Sequence, residues 1–279
     1  MVSMKKISIK SAVKQLILVI ASIIWIIPVI QLLLTSFKTP EDIMKTSPLE
    51  LPKGIQFGNY IGAWNYAHMG ILFINSIKLL ALSLLITVIL SALSSYPIAR
   101  MKFKGKKIVF LFILAGMMVP IQATVITLFY MVKKMGLINN HLGLALVYSA
   151  FAMPMSVFIY SNYMKTIPFE IEESAIVDGC SKYGFFFRIL IPLIKPSTAT
   201  VVINITINVW NDLLIQMLLL TSGSKKTLTS GLAMFRGMYS TQWDLTLASV
   251  VIISVPVIIF YIILQKYIIS GLSMGAVKG

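Results

Sequence analysis

The residues of this chain with chemical potential are few, and most lack the company that catalysis needs. Gly271-Leu272-Ser273-Met274-Gly275 satisfies G-x-S-x-G, the pattern that raises a serine nucleophile on a strand-to-helix turn. That chemistry requires an acid and a histidine further along, but only four residues follow, and an apolar helical run precedes. Gly223-Ser224-Lys225-Lys226-Thr227 has the glycine, lysines and hydroxyl of a phosphate cradle. It lacks the G-x-x-x-x-G-K-[ST] spacing that aims backbone N–H groups at phosphates. His68 and His141 stand apart with no H-E-x-x-H spacing, so no metal site is expected. The lone Cys180 excludes an intrachain disulfide, and beside Gly179 it reads as a small packing residue rather than a reactive thiol. Asn204-Ile205-Thr206 matches a glycosylation sequon but lies in an apolar run, which discards it.

Asn204, Asn208 and Asn211 are more informative. Spaced by four and then three residues, they share one face of a helix, and Asp212 lies beside that face. Two readings stand. The face lines a polar path through apolar surroundings, where a carboxylate is costly enough to mark a pathway. Alternatively, its amides hydrogen-bond to neighbouring helices.

The elements that position these residues follow from composition. The 279 residues are 58% hydrophobic and only 12% charged, with a mean hydropathy of +0.90. A soluble domain of this size needs a far more charged surface. The apolar residues come in blocks, and a hydrocarbon layer about 30 Å thick takes about twenty such residues per helical crossing. The blocks Leu16–Leu34, Ile71–Tyr96, Ile108–Val132, Leu142–Tyr163, Ser197–Leu220 and Ala248–Ile269 predict an all-α integral membrane protein with six transmembrane helices. Pro28, Pro120, Pro154 and Pro256 fall inside these blocks, where neighbouring helices can satisfy the freed carbonyls. No repeat, low-complexity tract or linker divides residues 1–279, which read as one domain.

Orientation follows from the basic residues. The formal charge of +15 invites a nucleic-acid reading, but most Lys and Arg lie between the apolar blocks. Lys5, Lys6, Lys10 and Lys14 precede the first block, which is longer than a signal-peptide core and ends at no A-x-A-like site. An uncleaved signal anchor is expected. Arg100, Lys102, Lys104, Lys106 and Lys107 crowd the loop after the second block, without an acid. Both termini, this loop and the loop Lys165–Pro196 are therefore expected in the cytoplasm of a multi-pass cell-membrane protein. The segments Thr35–Gly70 and Thr221–Leu247 are expected outside.

The loop Lys165–Pro196 carries the strongest local signals. Pro168 suits the first turn of a helix, and Glu170, Glu172 and Glu173 place carboxylates at its positive end. Gly179 can take the left-handed conformation that stops a helix, and Ser181 can cap a second, ending before Pro192. By helix signals alone this could be an ordinary connector. However, Glu173-Ser174-Ala175, Gly179 and Ile189-x-Ile191-Pro192 match in spacing the pattern E-A-A, three residues, G, nine residues, I-x-L-P. That pattern is the EAA loop of ABC importer permeases, with Ser174 for Ala and Ile191 for Leu.

Further matches run along essentially the whole chain. They are Asn75-Ser76, Tyr96-Pro97-x-Ala99-Arg100, Trp210-Asn211-Asp212 and the ending Gly271-Leu272-Ser273-Met274-Gly275-Ala276-Val277-Lys278-Gly279. With them the chain resembles the sugar branch of these type I permeases, in particular the subunit ending in G-A-V-K-G of maltose-type and multiple-sugar systems. The resemblance implies a type-1 permease core over about residues 71–266 and a coupling loop over 165–196. Glu173, Ser174, Ala175, Asp178 and Gly179 would dock on an ATPase subunit. The tail Gly275, Ala276, Val277, Lys278 and Gly279 would approach the ATPase dimer, and the loop before the last span would touch a sugar-binding protein. Implied partners are a homologous permease, two ATPase copies holding ATP and Mg, and an extracellular sugar-binding protein. No cofactor or ATPase site is expected in this chain. A secondary sugar transporter would instead show internal repeats and coupling-ion residues at midplane. A membrane enzyme would need convergent catalytic groups. Neither pattern is found.

Overall fold

The computed structural model describes residues 9–235 and 241–276. Its helices are, in chain order, α1 (Ile9–Ser36), α2 (Pro40–Lys45), α3 (Gly58–Tyr66), α4 (Met69–Arg100), α5 (Lys106–Ala115), α6 (Val125–Lys134) and α7 (His141–Thr166). There follow α8 (Glu170–Val177), α9 (Lys182–Gly184), α10 (Ile191–Leu193), α11 (Lys195–Asn211), α12 (Leu214–Leu219), α13 (Leu228–Gly231) and α14 (Trp243–Ala276). Among the described residues four helices are long and apolar enough to cross a membrane, or up to six if each of two bent pairs is one span. The fold is all-α.

Two compact units divide the chain. The first, residues 1–69 with 232–254, contains α1 and the short helices after it. Thr39 caps α2 by accepting from Asp42 N–H, and Lys38 buries its ammonium against Thr46 Oγ1 at 2.9 Å and the Ser47 carbonyl at 2.6 Å. Asn59 donates to the carbonyls of Ser36 and Lys38, both at 2.9 Å, which fixes α3 to the end of α1. Ile23, Ile24 and Trp25 on α1 stay exposed, as side chains that face lipid rather than water would.

The second unit, residues 70–231 with 255–279, holds both candidate sites. Pro97 and Pro154 lie within α4 and α7, but the third expected span is not one helix. Lys106–Met118 and Ile121–Lys134 meet at 83°. Pro120 is the cause: its ring disfavours helical backbone in the residue before it, and Val119 is extended at ψ 108°. The fifth expected span, Ser197–Leu220, is also interrupted. Helix α11 stops at Asn211, Asp212 is extended, and α12 begins at Leu214. Asp212 Oδ2 accepts from the N–H groups of Ile215 and Gln216, both at 3.1 Å, so the side chain caps α12 instead of continuing α11. Two of the carbonyls this break leaves find side-chain donors: Gln216 Nε2 donates to Val209 O at 2.7 Å and Thr229 Oγ1 to Trp210 O at 2.6 Å. The residues Asn75 and Ser76 have a local role here. Asn75 Nδ2 donates to the carbonyls of Ser224 and Lys226, both at 2.9 Å, and Ser76 Oγ accepts from Leu228 N–H at 2.9 Å.

Candidate functional site

The loop Lys165–Pro196 is built by local rules. After α7 the chain turns at Pro168, and Phe169 O accepts from the N–H groups of Glu172 and Glu173 at 2.9 and 3.0 Å. Helix α8 ends at Val177, and Gly179 turns the chain away from it with a φ of +82°. Cys180 N–H reaches Ala175 O at 2.9 Å and Gly179 N–H reaches Ile176 O at 3.0 Å, the paired bonds of a Schellman turn. Nothing lies within 4 Å of where a Cβ on Gly179 would project, so backbone conformation alone selects glycine. Ser181 Oγ then accepts from Gly184 N–H at 3.1 Å and starts the next helical segment. That segment runs past the expected stop before Pro192: α9, six π-helical residues Phe185–Leu190 and α10 continue to Leu193. Pro192 stands at the second residue of α10. A bend of 71° separates this segment from α11.

Glu173, Ser174, Asp178 and Gly179 are exposed. Ala175 is buried, at the floor of a shallow groove also lined by Glu170, Ile171, Ser174, Asp178 and Ile189. Three large side chains expected from no motif stand out of this loop: Val177 is 86% exposed, Tyr183 81% and Phe187 60%. Glu172 turns the other way. Its Oε1 accepts from Tyr96 Oη at 3.1 Å, and its Oε2 lies 3.8 Å from Nε of Arg100, whose side chain is fully buried. The Arg100 guanidinium stacks on the Phe169 ring, 4.5 Å from its centroid. In the sequence Glu172 was one of three similar acids, and nothing there singled it out.

The asparagine face opens on a hollow of about 480 Å³, within the range of small-ligand pockets. Asn204, Asn208, Asn211 and Asp212 all line it. Asn208 Nδ2 donates to Asn204 O at 2.7 Å, so part of its amide is committed within the helix. The opposite wall comes from the third-span break, through Val119, Ile121 and Gln122, and from Tyr148, Phe151, Ala152 and Met155 of α7. Tyr148 Oη donates to Asp212 Oδ2 at 2.6 Å. Gln122 and Tyr148 went unnoticed in the sequence because the break that exposes one and the bond that holds the other join distant segments.

The other motifs take no part. Ser224 and Lys226 turn their carbonyls to Asn75, so residues 223–227 do not form a cradle of N–H groups. The backbone of 271–275 is helical, within α14, and not a strand-to-helix turn. His141 Nε2 donates to Lys225 O at 2.8 Å, and the described residues contain no group of three metal-ligating side chains. In the tail, Val277, Lys278 and Gly279 lie outside the described residues, and Gly275 and Ala276 end α14.

Transport proteins are among the known proteins that this chain resembles. The melibiose/raffinose/stachyose import permease protein MelC of Bacillus subtilis is 36% identical over 254 residues, 91% of each chain. The diacetylchitobiose uptake system permease protein NgcG of Streptomyces coelicolor is 31% identical over 270 residues, 96% of this chain and 89% of that protein. The crystal structure of a bacterial ABC transporter involved in alginate import superposes with a TM-score of 0.81 over 93% of this chain and 96% of that one. At 22% identity that likeness establishes the fold. The family described as binding-protein-dependent transport system inner membrane component matches residues 88–274. With an all-α fold shared over nearly its whole length and a family match across both candidate sites, the chain belongs to the binding-protein-dependent transport inner membrane components, as a permease subunit.

Proposed function

We propose that this chain forms half of the translocation pore of an ATP-driven, binding-protein-dependent carbohydrate importer. Both termini lie in the cytoplasm, where α8 docks on a separate ATPase subunit carrying ATP and Mg. A homologous permease supplies the other half of the pore, and an extracellular binding protein delivers the sugar. Glu173, Ser174, Asp178 and Gly179 belong to the docking helix, over the groove floored by Ala175, and the tail at Gly275–Gly279 approaches the ATPase pair.

The observation that carries this reading is α8 itself. It is a short helix closed at its C-terminal end by a Schellman turn, with acids exposed on its surface and apolar Val177, Tyr183 and Phe187 beside it. Outside a bilayer, exposed large apolar side chains among charges are the composition of a protein contact. Relatives named for melibiose, raffinose and diacetylchitobiose uptake support the choice of carbohydrate. The hollow supports it too, because three amides and a carboxylate among apolar walls offer donors and acceptors to hydroxyl groups.

ATP binding closes the ATPase pair and carries both coupling helices with it, so the pore turns from inward- to outward-facing; hydrolysis resets it. Differential ATP affinity for the two states is the driving term. Affinity purification of the tagged chain in mild detergent tests the assignment. An ATPase should co-elute, and uptake should be stopped by vanadate. Uptake that proceeds without an ATPase, driven by an ion gradient, would identify a secondary transporter instead.

A further inference from the structure

A docked helix transmits motion only if something ties it to a span, and the covalent connections of α8 are turns at both ends. We propose that Glu172, Tyr96 and Arg100 form the joint through which α8 moves α4. The inference rests on the transport reading above.

Tyr96 and Arg100 are one helical turn apart at the end of α4 and so share a face. A single carboxylate engages both, Oε1 with the Tyr96 hydroxyl at 3.1 Å and Oε2 with Arg100 Nε at 3.8 Å. The Tyr96 ring also packs on Phe185 and Phe186, with centroids 6.4 and 5.3 Å away. One cluster therefore joins α4, α8 and the segment after α8. It is placed where electrostatics are strong: the Arg100 side chain is out of solvent, unlike the exposed Lys102 and Lys104 after it. Among the described residues its three guanidinium nitrogens have no hydrogen bond, and neither has Glu172 Oε2. With no competing partner and little water to screen it, the attraction between these charges resists separation of α8 from α4. Buried ion pairs contribute little net stability, and holding two elements in register is a use for which they are retained. The docking face is left free, because Glu172 points to α4 while Glu173, Ser174 and Asp178 remain exposed.

The test uses the complete complex in sealed vesicles. Cys180→Ser removes this chain's native thiol, and Ala152→Cys places a reporter on the α7 wall of the hollow, in a background first checked to hydrolyse ATP and take up sugar as the unsubstituted complex does. The probe is an impermeant biotin maleimide added from the outer side, with and without ATP and vanadate. In this background trapping should raise labelling at least fivefold. With Glu172→Gln the complex should assemble and trap nucleotide, yet labelling should no longer respond. Tyr96→Phe, which deletes one hydroxyl and keeps the ring, should reduce the response about twofold. The exchange Arg100→Glu with Glu172→Arg should restore at least half of it.

If Glu172→Gln switches normally, or the exchange restores nothing, the joint is refuted. A purely structural cluster would instead lower assembly, trapping and labelling together, which also refutes it. A background that does not switch overturns the transport reading, and the joint with it.

Discussion

The Tyr148 hydroxyl lies 2.6 Å from Asp212 Oδ2, the same oxygen that accepts from the N–H groups of Ile215 and Gln216. One carboxylate oxygen thus ends α11, starts α12 and ties the interruption to α7. A hydrogen bond to a charged group contributes about 1.5–3 kcal/mol. Tyr148→Phe should therefore lower the thermal midpoint of the purified complex and reduce uptake, whereas Tyr130→Phe, at an exposed position on α6, should do neither. Equal midpoints for the two variants would mean that the bond contributes nothing.

Asn208→Leu separates the two readings of the asparagine face. If the amides line the path, the variant complex should be recovered whole while uptake falls at least tenfold. If they serve packing, yield should fall with uptake, since an interhelical hydrogen bond in a membrane is worth about 0.6 kcal/mol and at most about 2.

Gly179→Val should cost about 1–2 kcal/mol, because a Cβ resists the left-handed backbone that the turn requires. Glu173→Ala should cost about 2–5 kcal/mol of ATPase binding if the carboxylate meets a buried cation there. Both should weaken co-elution of the ATPase while the chain still inserts. Lys165→Ala is the control: its ammonium lies 5.1 Å from the Phe110 ring centroid, a contact worth about 0.5–1 kcal/mol when exposed, and it is outside the motif. Normal co-elution with both motif variants would reduce the loop to a connector.

Orientation is checked with single cysteines in the Cys180→Ser background. Lys6→Cys should resist an impermeant thiol reagent in intact cells, and Glu50→Cys, exposed after α2, should react. The reverse pattern would invert the topology.

Helices long enough to span a bilayer were legible because desolvation acts on every residue of a crossing, so an apolar block announces itself. The breaks were not. Pro28, Pro97, Pro154 and Pro256 lie inside helices, while Pro120 accompanies an 83° bend. The difference lies in the residue before the ring, which stays helical at the other four prolines and is extended at Val119. The helix-stopping Gly179 and the capping Ser181 were readable, since each acts within a few residues. The pairing of Arg100 with Glu172 reaches across α5, α6 and α7 in the chain and left no local trace. The docking role proposed for Glu173, Ser174, Ala175, Asp178 and Gly179 rests on family resemblance, because spacing alone describes any capped connector.

Val177, Tyr183 and Phe187 have a consequence for the cell's handling of this subunit. If α8 docks on an ATPase as proposed, a chain made in excess of that partner would leave an oily surface uncovered, of the kind chaperones and membrane proteases recognise. Its abundance would then follow that of its partner, and the complex would keep its stoichiometry by removing the unaccompanied permease rather than by matched synthesis.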